Sequence, residues 1–188
     1  MRGVANKMMD FTEKTLESRR IFEGRVIKVR VDRVSLPGGQ ESEREIVEHV
    51  GAVAMVPVDA SGRVYLVRQY RKPMEKMLLE IPAGKLEPGE DPLECARREL
   101  TEEIGFFPGK IDKLTFYYSS PGFSDEGIHL YLATDLVRQD TPGEEGEFLE
   151  ILSMPLTEAL DMVMSGEIED GKTISGLLMV AKQLGIQG

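Results

Sequence analysis

One stretch of this chain is punctuated as a helix at both ends and has strand patterns on both sides, which narrows the possible folds more than any other feature. Asp91 reads as an N-cap, with Pro92 at the first helical position and Glu94 three residues after the cap. Gly105 is a natural stop after Ile104. Between them Leu93, Ala96, Leu100 and Ile104 recur at spacings of three and four, a single apolar stripe that has to be buried.

The surroundings of this helix read mainly as strands. Arg25 to Leu36 alternates with period two, Pro37-Gly38-Gly39 turns, and Glu41 to His49 returns; Thr15 to Ile21 is a weaker strand. Gly51 to Val58 is a nearly continuous apolar run and is expected to be a core strand, with Arg63 to Tyr70 pairing back on it. Lys76 to Ile81 is a further strand, ending in a turn at Pro82-Ala83-Gly84. After the helix come strands near Ile111 to Tyr118, Gly127 to Thr134 and Phe148 to Met154, then helices at Leu156 to Met164 and Thr173 to Leu184. This order predicts an α+β fold with a mixed-sheet sandwich. Residues 1–47 are expected to form a small antiparallel β-sheet, too small to be stable alone, that packs on the remaining chain or on a second copy.

The charge balance narrows the partners. With 33 acidic against 23 basic side chains and a net charge of −10, the chain is unsuited to collecting nucleic-acid backbone, although metal ions can offset that charge for a small phosphate ligand. The single cysteine, Cys95, allows no internal disulfide, and two histidines rule out a histidine-rich metal site. Met1 to Lys14 lacks the apolar run of a signal peptide, and no stretch reaches the ~20 apolar residues of a membrane span, so a cytoplasmic, non-membrane protein is expected.

Chemistry concentrates on the helix. Glu99 and Glu103 lie four residues apart and Glu102 three from Glu99, so their carboxylates share one face. Each like-charge pair costs about 0.2–0.5 kcal/mol on an exposed helix. Their place near the C-terminal end of the helix adds an unfavourable dipole interaction. A solvated helical face, supported by the Glu94–Arg98 pair, remains a reading of the helix alone. Oxygen ligands of this kind suit Mg²⁺ or Mn²⁺.

A resemblance over a longer segment favours the metal-binding reading. Gly84, Glu90, Arg98-Glu99-Leu100, Glu102-Glu103 and Gly105-Phe106 stand at fixed offsets over 23 residues, and all nine positions match. The segment resembles the box of the Nudix hydrolases. The resemblance implies an α/β/α sandwich from residues 48–188, with Glu99, Glu102 and Glu103 as metal ligands together with the Ala83 carbonyl. It also implies that Glu90 and Arg98 are a structural pair, that Gly84 and Gly105 permit the loop turns, and that Mg²⁺ is the cofactor, with Mn²⁺ as a substitute.

Features outside the box resemble the ADP-ribose pyrophosphatase branch of that family: Arg68-Gln-Tyr-Arg71 ahead of Glu80-Ile-Pro-Ala-Gly84, Pro121-Gly122 fifteen residues beyond the box, and the N-terminal sheet, which in relatives forms a homodimer. The resemblance implies hydrolysis of ADP-ribose or a related nucleoside diphosphate sugar, with Arg68, Arg71, Glu80, Pro121 and Gly122 at the substrate. GDP-mannose is the alternative substrate, and a non-hydrolysing ADP-ribose sensor the alternative class. The general base is expected in the acidic segment Gly143 to Glu147, with Glu145 favoured and Glu147 as a further ligand or base; Glu102 is also carried as catalytic. Read without the resemblance, Pro121-Gly122 is a turn, Arg68 and Arg71 are exposed strand positions, and the acidic segment is a solvated surface. Cys95 and His129 are read as packing residues.

Overall fold

The computed structural model describes residues 9–139 and 148–186 and divides into two compact units. The first comprises residues up to His49 together with Ser120–Asp125. Its sheet runs in the order β1 (Lys14–Glu23), β2 (Lys28–Ser35), β3 (Glu41–Glu48), all antiparallel. The turn forms where Pro37-Gly38-Gly39 predicted it, with Gly39 donating to Leu36 O at 2.8 Å. Among the described residues of this unit only Val34 and Asp32 are buried, and every residue of β1 is exposed, Ile21 and Phe22 included. Ser120–Asp125 is bound to β3: Val47 donates to Phe123 O (2.8 Å) and His49 to Asp125 Oδ1 (2.8 Å).

The second unit holds the core. One sheet has the order β7 (Ala83–Lys85), β4 (Ala52–Pro57), β9 (Gly127–Arg138), β8 (Phe106–Tyr118), with β4 and β9 parallel and the other pairs antiparallel. The other sheet is β10 (Glu150–Pro155), β5 (Arg63–Arg71), β6 (Lys76–Glu80), all antiparallel. Alternation along the strands divides the apolar side chains between two cores. Ala54 and Val56 of β4, Val64 and Leu66 of β5, and Leu130 and Leu132 of β9 face α2 (Leu156–Ser165) and α3 (Gly171–Leu184). Val53, Met55, Val67, Tyr131 and Ala133 face α1 (Pro92–Ile104) through Ala96, Leu100 and Ile104. Full burial of each such large side chain is worth about 1.5–3 kcal/mol. Helices cover both faces, as expected for the sandwich.

Two differences from the sequence expectations have physical causes. Ala83–Lys85 is a short strand rather than a turn, because Ala54, Val53 and Ala52 supply pairing partners. β8 starts at Phe106 rather than Ile111; it is an edge strand, so Pro108 is tolerated opposite Leu136. Among the described residues no helix is long and apolar enough to cross a membrane.

Candidate metal and substrate site

The helix that carries the carboxylates is fixed at both ends. Asp91 accepts from the backbone N–H of Leu93 (2.9 Å) and Glu94 (3.3 Å). At the other end Gly105 takes the left-handed conformation (φ 71°) that a side chain disfavours, and donates to Thr101 O at 3.0 Å. The buried stripe of Ala96, Leu100 and Ile104 sets the rotation of the helix, so Glu99, Glu102 and Glu103 come to a half-buried flank. Leu93 is only half-buried, and Cys95 and Thr101 complete the buried side.

Arg98 organises this flank. Its Nε and Nη2 fork onto Glu90 at 3.0 and 3.1 Å, while Nη1 reaches Glu99 at 2.9 Å and Glu102 at 3.1 Å. Hydrogen bonds from Arg98 hold the Glu90 carboxyl down at about 2, and those bonds in turn raise Arg98 above its ordinary value. Glu90 also accepts from the Glu87 N–H at 2.9 Å, which ties the loop before the helix to the same pair.

Gly84 shows how closely the loop and the helix meet. A Cβ there would overlap the Glu99 carboxylate, so Glu99 lies flush against the backbone of the strand that carries Ala83. Ala83 donates its N–H to Glu103 Oε2 at 3.0 Å. The structure thus brings Ala83, Gly84, Glu90, Arg98, Glu99, Glu102 and Glu103 together. Among the described residues no three carboxylate, thiol or imidazole groups converge as an ion cage, and Arg98 engages one oxygen of Glu99 and one of Glu102. The donor chemistry still fits a hard divalent cation, being carboxylate and backbone oxygen with no thiolate or imidazole. A recess of about 510 Å³ opens beside Glu102, lined by Arg97, Arg98, Thr101, Phe107 and Gln139 among others.

The other predicted residues divide. Arg68 and Arg71 stand three apart on β5, and strand alternation sends them to opposite faces. Arg68 is half-exposed and pairs with Glu150 at 2.6 Å. Arg71 forks onto Glu80, Nε to Oε1 and Nη2 to Oε2, both at 2.6 Å. Burial pushes the Glu80 carboxyl up, but the Arg71 fork and Lys172 outweigh it and leave it below the usual range. Hydrogen bonds to Glu80 hold Arg71 charged, and Glu103 adds to that field. Pro121 and Gly122 lie in the segment of the first unit bound to β3. Glu145 and Glu147 lie outside the described residues.

Sequence reasoning missed the start of α3. Lys172 joins Glu80 and reaches Asp170 at 3.1 Å, Asp170 caps the helix through the Thr173 N–H (2.9 Å), and Thr173 Oγ1 accepts the Ile81 N–H (2.8 Å). Lys172 and Glu80 are 92 residues apart, so no local pattern signals the pairing. Cys95 is buried, and burial pushes its thiol up to about 12, which makes it inert as a nucleophile. His129 packs against Phe116 with tilted rings (centroids 4.8 Å apart), and its Nδ1 has no hydrogen-bond partner among the described residues.

The geometry can be set beside known proteins. Residues 48–175 match the model of the NUDIX domain, and residues 13–47 that of the nucleoside diphosphate sugar hydrolase N-terminal domain. The chain is 47% identical over 166 residues to the methanol dehydrogenase activator of Bacillus methanolicus, covering 87% of this chain and 90% of that one. It is 46% identical over 168 residues to the ADP-ribose pyrophosphatase of Bacillus subtilis strain 168, covering 88% and 91%. In fold it is similar to a crystal structure of an ADP compounds hydrolase (TM-score 0.84, 24% identity, 94% of this chain and 97% of that one).

Proposed function

The chain belongs to the NUDIX domain family, and from that premise we propose that it hydrolyses the pyrophosphate bond of ADP-ribose to AMP and ribose 5-phosphate. The observation that carries this reading is the carboxylate flank of α1, held by Arg98 and pressed against the Gly84 loop. The similarity to a protein named ADP-ribose pyrophosphatase over most of both chains supports the choice of substrate.

Glu99, Glu102, Glu103 and the Ala83 carbonyl would hold Mg²⁺, with Mn²⁺ as a substitute and Glu147 as a further ligand. When bound, such an ion lowers the pKa of water and draws charge from phosphate oxygens. Glu145 accepts the proton of the attacking water, with Glu147 as the alternative base. Arg98 keeps Glu99 and Glu102 oriented, so little reorganisation precedes the reaction. Arg71, oriented by Glu80, and Arg68 supply donors for phosphate or ribose oxygens.

The domain division is residues 1–47 and 48–188, the first part mediating a homodimer. The exposed apolar side chains Phe11, Ile21, Phe22 and Val26 support that assembly. The setting is the cytoplasm.

The test incubates the purified protein with ADP-ribose and with GDP-mannose side by side, with Mg²⁺ or with a chelator, and separates the products. Release of AMP from ADP-ribose only with Mg²⁺ is expected. Faster cleavage of GDP-mannose reassigns the substrate, and tight nucleotide binding without turnover of either compound contradicts hydrolysis.

A further inference from the structure

Glu80 is 1% exposed, and its carboxylate meets cations from two distant parts of the chain: the Arg71 fork at 2.6 Å on both oxygens, and the ammonium of Lys172 in the first turn of α3. A carboxylate this deeply buried is costly unless its charge is met and its lone pairs are filled. Arg71 contributes Nε and Nη2, which leaves Nη1 of a partly exposed guanidinium with no hydrogen-bond partner among the described residues. Lys172 itself is only 13% exposed and is engaged by both Glu80 and Asp170. Its ammonium is thus committed inside the protein, and its influence on a ligand has to pass through Glu80.

The same end of α3 holds the backbone next to Glu80. Asp170 caps Thr173, and Thr173 Oγ1 takes the Ile81 N–H at 2.8 Å. Two residues on, Ala83 donates to Glu103. The last helix therefore grips both the side chain and the backbone of the segment that runs from Glu80 to the carboxylate flank.

The geometry points to Lys172 as a positioning residue, which fixes Glu80 and through it Arg71, so that the Nη1 edge of Arg71 is presented to a phosphate oxygen of the nucleoside diphosphate substrate. This rests on the function proposed above. Lys172 makes no contact with substrate; its removal leaves Glu80 with one cation and loosens the carboxylate on which the Arg71 fork rests.

A kinetic cycle tests this. Lys172→Met is expected to raise KM for ADP-ribose about tenfold, the size of one hydrogen bond to a charged group, with kcat within about threefold. Lys172→Arg is expected to restore most of the KM. In an Arg71→Ala background, Lys172→Met is expected to change KM by less than about twofold, since its effect runs through Arg71. An unchanged KM in Lys172→Met overturns the proposal. So does a full, additive penalty in the Arg71→Ala background, which would mean that Lys172 touches the substrate itself.

A second measurement needs no variant and no turnover. The Nε–H of Arg71 in the wild-type protein is expected to give a sharp, solvent-protected NMR cross-peak in the absence of nucleotide, and a rapidly exchanging one overturns the proposal. Failure of ADP-ribose hydrolysis with that cross-peak intact would sink the functional reading while supporting the locked pose of Arg71.

Discussion

Two ion networks meet along the segment from Glu80 to Ala83, and they are built on opposite principles. At the start of α3 two cations, Arg71 and Lys172, meet two carboxylates, Glu80 and Asp170, and the charges cancel. On the flank of α1, among the partners seen within the described residues, the guanidinium of Arg98 serves Glu90, Glu99 and Glu102, with Glu103 alongside on a backbone N–H. A balanced buried network holds a structure in place. An unbalanced one keeps a surplus of negative charge in a half-buried position, and attraction for an external cation offsets it. On the function proposed above, the comparison separates a part that positions from a part that reacts.

The largest effect is expected where the surplus is reduced. Glu103→Gln keeps volume and the ability to accept the Ala83 N–H, yet kcat is expected to fall at least about a hundredfold with an unchanged melting curve. Wild-type turnover in this variant would break the contrast. Gly84→Ala comes next. The new methyl displaces the Glu99 carboxylate, and kcat is expected to drop about ten- to a hundredfold, as for a ligand shifted by about an ångström. A structure of that variant with Glu99 unmoved would refute the stated cause.

The balanced network is expected to answer in stability instead. Thr173→Val leaves the buried Ile81 N–H without its acceptor and should lower unfolding free energy by about 1–3 kcal/mol in denaturant titration. Acid sharpens the comparison further. Glu90 sits at about 2 in the folded protein against an ordinary 4.5, so its contribution is complete above 4.5 and is lost as pH falls toward 2. The stability gap between wild type and Glu90→Gln should therefore be constant above pH 4.5 and close below it; a gap that widens on acidification contradicts the Arg98 pairing. The smallest effect belongs to Arg68→Ala. Its pair with Glu150 is half-exposed, and stability is expected to change by less than about 1 kcal/mol, any loss appearing in KM.

Much of this could be read from the sequence because it is local. The caps at Asp91 and Gly105, the stripe of Ala96, Leu100 and Ile104, and the apolar run at Ala52–Pro57 each declare themselves within a few residues. The carboxylate flank was legible as a spacing, although the spacing alone left a solvated face open. What could not be read depends on distant partners. Ala83–Lys85 has too few residues to show a period and becomes a strand only because β4 offers its edge. Lys172 and Thr173 carry no signature, since Glu80 and Ile81 are 92 residues away. Arg68 and Arg71 look like one motif in the sequence, and strand alternation divides them between two faces.

Titration with Mn²⁺, followed by loss of the free-ion paramagnetic resonance signal, tests the central claim most directly, with Thr173→Val as a control from the balanced network. The account predicts Mn²⁺ uptake by the wild type and by Thr173→Val, and binding at least about tenfold weaker in Glu103→Gln. Equal uptake by all three, or none by the wild type, would contradict it.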